Sequence, residues 1–278
     1  MSRLLGYKAI NFKPYVALFR IRFTNSLQYR AAALAGLVTQ FVWGFMYILA
    51  FWAFYRANPA GFPMTFSHTV TYIWLQQAFM MLFVLWFYEN SIFESIETGA
   101  IAYELVRPMD LYARWFSMSA ANRVARVILR CVPLLVVALL LPYPFRLVIP
   151  TSFSQFGFFF LSVVLATGVV LAISMLIYIS AFYTLNSVGT RIVVAVTADF
   201  FAGMYIPIPF FPDNMRTVLE LLPFGSMQNT PFLIFTGHIY GAAIWRGIGL
   251  QVFWLVVLLA VGRLWISLAL KRVVAQGG

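Results

Sequence analysis

Six long apolar runs alternate with short polar punctuation along this chain. Ala31–Tyr55, Ser67–Tyr88, Cys131–Phe145, Phe156–Tyr183, Ile192–Ile208 and Gly247–Leu270 are each uncharged or nearly so. About 20 apolar residues cross a bilayer as a helix, so the pattern predicts six spans, the third short and interrupted by Pro133. Breakers separate the runs: Asn58-Pro59 and Gly61-Phe62-Pro63 after the first, Pro142 and Pro144 after the third, Asn186, Ser187 and Gly189 after the fourth. The first run is too long for a cleaved signal core and reads as a retained anchor.

The polar stretch between the second and third runs, residues 89–130, carries the densest punctuation. Glu89, Glu94, Glu97, Glu104 and Asp110 are five of the chain's eight acids. Ser91 and Glu94 have the spacing of a capping box, which would start a short helix. Gly99 fits a stop in the left-handed conformation. Pro108 biases Arg107 toward an extended backbone, and Asp110 can then cap a helix from Leu111 to Arg130 that feeds the third span. Helix, stop, link and helix make a structured connector. Arg123, Arg126 and Arg130 recur at i, i+3, i+7 on that helix, placed for phosphate headgroups, an acidic partner, or snorkelling at the interface.

Two flanking regions differ from the spans. Residues 1–30 hold six basic residues and no acid, with Phe12, Val16, Phe19, Phe23 and Leu27 at roughly helical spacing. They predict a basic amphipathic helix on the membrane surface. Residues 209–246 remain hydrophobic yet contain Pro209, Pro212, Pro223 and Pro231. Helix-broken apolar sequence fits a re-entrant hairpin supported by protein, with Asp213 capping a short helix inside it.

Composition agrees with a polytopic membrane protein: 63% hydrophobic residues, 10% charged, mean hydropathy +0.88. The net charge of +11 is attributed to cytoplasmic loops and anionic lipid, not to nucleic acid. With the N-terminus inside, inside segments carry fifteen Lys and Arg and outside segments four. That asymmetry places both termini and residues 89–130 in the cytoplasm and residues 209–246 outside. Asp199 and Arg263 each lie eight residues into a span, counted from Arg191 and Lys271. Matching depth suggests an ion pair; the alternative is that Arg263 snorkels while Asp199 is protonated or faces a wet cavity.

The chain shows no chemistry of its own. It has no G-x-x-x-x-G-K-[ST] phosphate loop, no H-E-x-x-H, no G-x-S-x-G, and one cysteine, Cys131. His68 reads as an interfacial histidine without a metal partner. The expectation is a non-enzyme with no cofactor or metal on this chain. The many aromatics would line a site for a lipophilic or cationic substrate, or face lipid.

The segment after the second span, Ile96-Glu97-Thr98-Gly99-Ala100-Ile101, then Leu105, Arg107 and Pro108, resembles the I-x-x-G-x-(I/L)-x-x-x-L-x-R-P signature of bacterial type-2 ABC exporter permeases. Gly203, Pro207 and Pro212, continuing through Leu222-Pro223-Phe224, Pro231 and Gly237, resemble their outer hairpin. The resemblance implies an all-α fold with a surface helix over residues 1–30. A six-span permease domain would follow over residues 31–278, with cytoplasmic coupling helices and an outer hairpin, in the bacterial inner membrane. It implies half of a translocation pathway, paired with an identical or related second permease and with a separate ATPase that holds ATP and Mg. Glu94, Glu97, Gly99, Arg107 and Pro108 would then couple to that ATPase, and drugs, lipids or peptides are the substrates such permeases export. A secondary transporter, or another multi-span protein without an ATPase, is the alternative. It would show internal repeats and paired intramembrane charges.

Overall fold

The structure, a computed structural model, describes residues 12–28, 30–150, 152–184 and 187–272. The first part of the expected surface helix, with Arg3 and Lys8, lies outside the described residues. The described residues are helical without β-strand. In chain order the helices are α1 (Lys13–Ser26), α2 (Arg30–Ala57), α3 (Phe66–Phe83), α4 (Asn90–Glu97), α5 (Ile101–Leu105) and α6 (Leu111–Leu140). They continue with α7 (Phe153–Ser180), α8 (Val188–Phe201), α9 (Asp213–Leu221), α10 (Asn229–Thr236) and α11 (Ala242–Ala269).

α3 and α7 form the centre. α3 packs on α2, α6 and α10, and α7 packs on α10 and α11. Trp74, Tyr72, Trp115 and Tyr178 are among the largest fully buried side chains. α2 instead exposes Leu34, Val38, Val42, Trp43, Met46 and Leu49, and α11 exposes Val252, Phe253, Val256 and Leu264. Apolar faces of that extent need an apolar solvent. Among the described residues, three stretches are long and apolar enough to cross a membrane: Ala33–Ala57, Phe153–Ser180 and Ala242–Arg272. The other three expected spans take different forms. α3 stops at Phe83 instead of running to Tyr88. α6 is one continuous helix through Pro133 but ends at Leu140, and only its last third is apolar. α8 has 14 residues, about 21 Å, and ends at Phe201 instead of near Ile208.

α1 packs along α6. Phe12 and Val16 remain exposed, while Phe19 and Phe23 stack on each other at 6.0 Å. Tyr15 Oη accepts the Asp110 N–H at 2.9 Å, and Ser26 hydrogen-bonds Asn122. The expected surface helix is therefore seated on protein along one side.

Two sequence signals for helix starts did not survive packing. The capping box at Ser91 and Glu94 does not form. α4 starts two residues earlier, with Glu89 at its N-cap position, and the Glu89 carboxylate is taken by Asn122 Nδ2 instead. Asp213 lies inside α9 and pairs with Arg216 at 3.0 Å, while Pro212 occupies the cap position. By contrast Asp110 Oδ1 accepts the Ala113 N–H at 2.7 Å and starts α6 at Leu111, as its spacing predicts.

Broken helix ends in an apolar setting leave carbonyls that must find donors. Between α8 and α11 those donors are mainly amides, joined by one indole and the hydroxyl of Thr230, which donates to Gly225 O at 3.1 Å. Gln228 reaches Ala202 O at 3.3 Å, and Gln76 reaches the carbonyls of Met204 and Gly203. Gln155 holds Ile234 O at 2.7 Å and Phe235 O at 3.0 Å at the end of α10. Gln251 holds Ser226 O at 3.0 Å and Ser162 O at 3.2 Å, and Trp254 holds Leu221 O at 2.8 Å. Gly203 turns the chain out of α8 at φ 79°, with Ile208 so close that an added Cβ would sit 3.1 Å from its backbone nitrogen.

Candidate functional site

The connector is built around one short amphipathic helix. α4 buries Ile92, Phe93 and Ser95 and exposes Glu94 and Glu97. Phe93 packs on Tyr178 and lies under the Arg191 guanidinium, 4.3 Å from the ring centre. Glu97 Oε1 accepts from Ser187 Oγ at 2.8 Å, so one of the two expected contact acids is tied to the start of α8. Gly99 adopts φ 76°, the left-handed stop its position predicts, and an added Cβ there would meet nothing within 4 Å. The constraint at Gly99 is thus on the backbone alone. α5 buries Ile101 and turns Glu104 inward. Glu104 Oε2 accepts from Trp115 Nε1 at 3.0 Å and sits 3.1 Å from the Arg114 guanidinium. What remains outward is Glu94, Tyr103, Leu105, Val106, Arg107 and Pro108, with Tyr103 78% and Val106 82% exposed.

Beneath the connector the chain is unwound. After Phe83, residues 84–89 leave the helix, although the sequence through Tyr88 is uniformly apolar. Their carbonyls converge on Arg123 of α6, which is 3% exposed. Its Nη1 donates to Leu82 O at 3.1 Å and Val84 O at 2.6 Å. Its Nη2 donates to Phe87 O at 3.0 Å and Ser174 Oγ at 3.3 Å. From the other side, Leu85 N–H donates to Asp199 Oδ1 of α8 at 3.4 Å. Glu89 N–H donates to Tyr178 Oη at 2.8 Å. A planar guanidinium carries five donors on three nitrogens, so it spans acceptors on two sides that a single ammonium nitrogen would have to reach from one point. Arg123 is the residue that sequence reasoning assigned wrongly: it does not snorkel to the interface. Its helical face signalled a role, but its acceptors lie about 40 positions away and carry no local mark.

The expected Asp199–Arg263 pair is replaced by two separate arrangements. Arg263 Nη1 lies 2.5 Å from Asp110 Oδ1, with its guanidinium 4.7 Å from the Tyr112 ring centre. Both partners are half exposed. Equal spacing from Arg191 and Lys271 did not bring Asp199 and Arg263 together, because Arg263 turns to the start of α6 instead. Asp199 is buried and serves the unwound segment.

Asp199 also borders two cavities, of about 330 and 350 Å³. Trp86 and Tyr205 line both, and Gln40, Trp43 and Tyr47 line the first. Gln40 Nε2 donates to Gln77 O at 2.9 Å, which fixes the amide and leaves Gln40 Oε1 buried without a partner. At the far end of α7, burial, together with His68 and Arg216, holds His238 below the usual histidine range. No group of His, Cys, Asp and Glu among the described residues could hold a metal ion.

The arrangement positions carbonyls and charges; it offers no nucleophile beside a base. It ties the end of α3 to α6 and α8. A comparison with curated proteins finds no match. A family profile described as ABC-2 family transporter protein matches residues 41–277, which takes in α3 to α11 and most of α2. The chain belongs to the ABC-2 transporter family, as an integral membrane permease.

Proposed function

We propose that this permease is half of the translocation pathway of an ATP-driven exporter. A separate ATPase subunit would dock on the outward face of the connector, and a second permease, identical or related, would complete the pathway. The observation that carries this reading is that face. Tyr103, Leu105 and Val106 stand exposed beside Glu94, Arg107 and Pro108, on a stretch whose inner side is fixed by Phe93, Glu97 and Glu104. Apolar side chains exposed on a rigid, charged platform fit a protein contact better than water. Coupling needs an element with fixed attachments that a partner can displace.

In this reading six segments cross the membrane, α1 lies at the inner surface against α6, and the segment from Gly203 to Gly241 dips into the outer leaflet. The amide-held helix ends of that segment support a re-entrant path, because unpaired carbonyls would not persist in lipid. The cavities beside Asp199 are the candidate pathway lining. Co-purification with the candidate ATPase tests the proposal. Val106→Glu should abolish assembly and leave the permease folded in the membrane. Intact assembly and substrate-stimulated ATP hydrolysis in that variant would rule out this face as the dock.

A further inference from the structure

A cavity of about 580 Å³ opens between α1, α2, α6 and the start of α4. Its polar wall carries Arg22 of α1 and Arg126 and Arg130 of α6, with Asn25 and Asn90 beside them. Its floor is apolar: Ala33, Met81, Phe87 and Leu129. Arg126 and Arg130 are one turn apart, so two like charges share one face of α6. The Arg126 guanidinium lies 5.4 Å from the Phe87 ring centre, and that of Arg130 lies against Gly36, within 2.6 Å of where a Cβ would be. Neither Arg22 nor Arg126 has an ion pair among the described residues. Glu89 is the one acid in the wall, and its carboxylate is engaged by Asn122. The basic wall therefore outweighs the acid.

The cavity sits where α6 changes from polar to apolar, between Arg130 and Val132. Beside it the exposed side chains Leu34 and Val38 of α2 and Val132 of α6 run away from the connector. A ligand with an anionic head and hydrocarbon tails would match both halves: phosphate among the guanidiniums, chains along α2 and α6. A free anion would use only the first half.

We propose that this cavity is a binding site for an anionic phospholipid of the inner leaflet, its phosphodiester held by Arg22, Arg126 and Arg130. The lipid then bridges α1 to α2 and α6. The proposal rests on the inner-surface placement of α1 given above. Its readout needs no ATPase, so the lipid site and the ATPase dock can fail separately.

The test is native mass spectrometry of the purified, delipidated permease, titrated with phosphatidylglycerol or phosphatidylcholine, each with and without inorganic phosphate. Phosphatidylglycerol should bind in preference, and phosphate should not displace it. Arg22→Gln and Arg126→Gln should each weaken that binding about fivefold. Arg126→Lys should retain most of it, and Arg246→Gln, at the other end of the bundle, should change nothing. The Lys variant and the wild-type lipid preference stand even if a Gln variant misfolds. Equal binding of the two lipids, or unchanged binding in folded Gln variants, overturns the site. Displacement by phosphate overturns the lipid assignment in favour of a free anion.

Discussion

The two places where this bundle breaks its helices solve one problem with different chemistry. Between α8 and α11 the freed carbonyls are held by Gln76, Gln155, Gln228, Gln251 and Trp254, all neutral. After α3 they are held by Arg123, with Asp199 receiving the Leu85 N–H. A neutral amide costs little to bury once bonded, and losing one frees one or two carbonyls. A buried guanidinium is costly unless nearly every donor is used, so the break after α3 is stable in one arrangement and poor in its neighbours. The glutamine-held end is a seal. The arginine-held end is a position that is either occupied or lost, placed between the connector and the centre of the bundle.

The largest expected effect follows from that difference. Arg123→Met should cost on the order of 3–5 kcal/mol, because it strips donors from three buried carbonyls. Folded yield on size exclusion and the melting midpoint should both fall sharply. Arg123→Lys should recover only part, since a point charge cannot span Leu82, Val84 and Phe87 together. A Met variant that melts like wild type would erase the distinction between the two breaks. Gln251→Leu, which frees Ser226 O, Ser162 O and the Ser162 hydroxyl, should cost about 2–3 kcal/mol. If it equals or exceeds Arg123→Met, the seal is the more demanding end.

Gly99→Val should cost about 1 kcal/mol or more through the left-handed backbone alone, since a side chain there meets no neighbour. Membrane insertion should survive while ATPase coupling drops, read as lost substrate stimulation of ATP hydrolysis. Full stimulation in this variant would detach the connector from coupling. The smallest effect concerns the half-exposed pair. A mutant cycle on Asp110 and Arg263 should return a coupling of roughly 0.2–1 kcal/mol, as for other exposed pairs. The same cycle on Asp199 and Arg263 should return none. Coupling in the second cycle would restore the pair expected from matching depth.

What could be read in the sequence was what local chemistry decides. Asp110 caps α6 and Gly99 stops the preceding turn because each acts within a few residues of itself. The apolar runs marked α2, α7 and α11 because a span is a property of a continuous segment. The break at Phe83 was hidden because residues 67–88 carry no breaker at all: what interrupts that helix is Arg123, a side chain of α6. Ser91 and Glu94 had the right spacing for a box, but Glu89 and Asn122 set the start of α4 from outside. Asp199 and Arg263 were paired on matching depth alone, and depth says nothing of which way a side chain turns: Arg263 meets Asp110, 153 positions away, and Asp199 meets Leu85.

Asp110 gathers more than its cap. Its carboxylate holds the first turn of α6 and the guanidinium of Arg263 on α11, while its own N–H reaches Tyr15 on α1. It stands two residues after Pro108, at the exit of the connector. Mechanically this is a clasp and not a hinge: three bars of separate origin touch at one point, next to the surface on which a partner would push. Each closure is a half-exposed contact worth about 1 kcal/mol or less, so the clasp sets where α1, α6 and α11 meet at rest and opens cheaply under load.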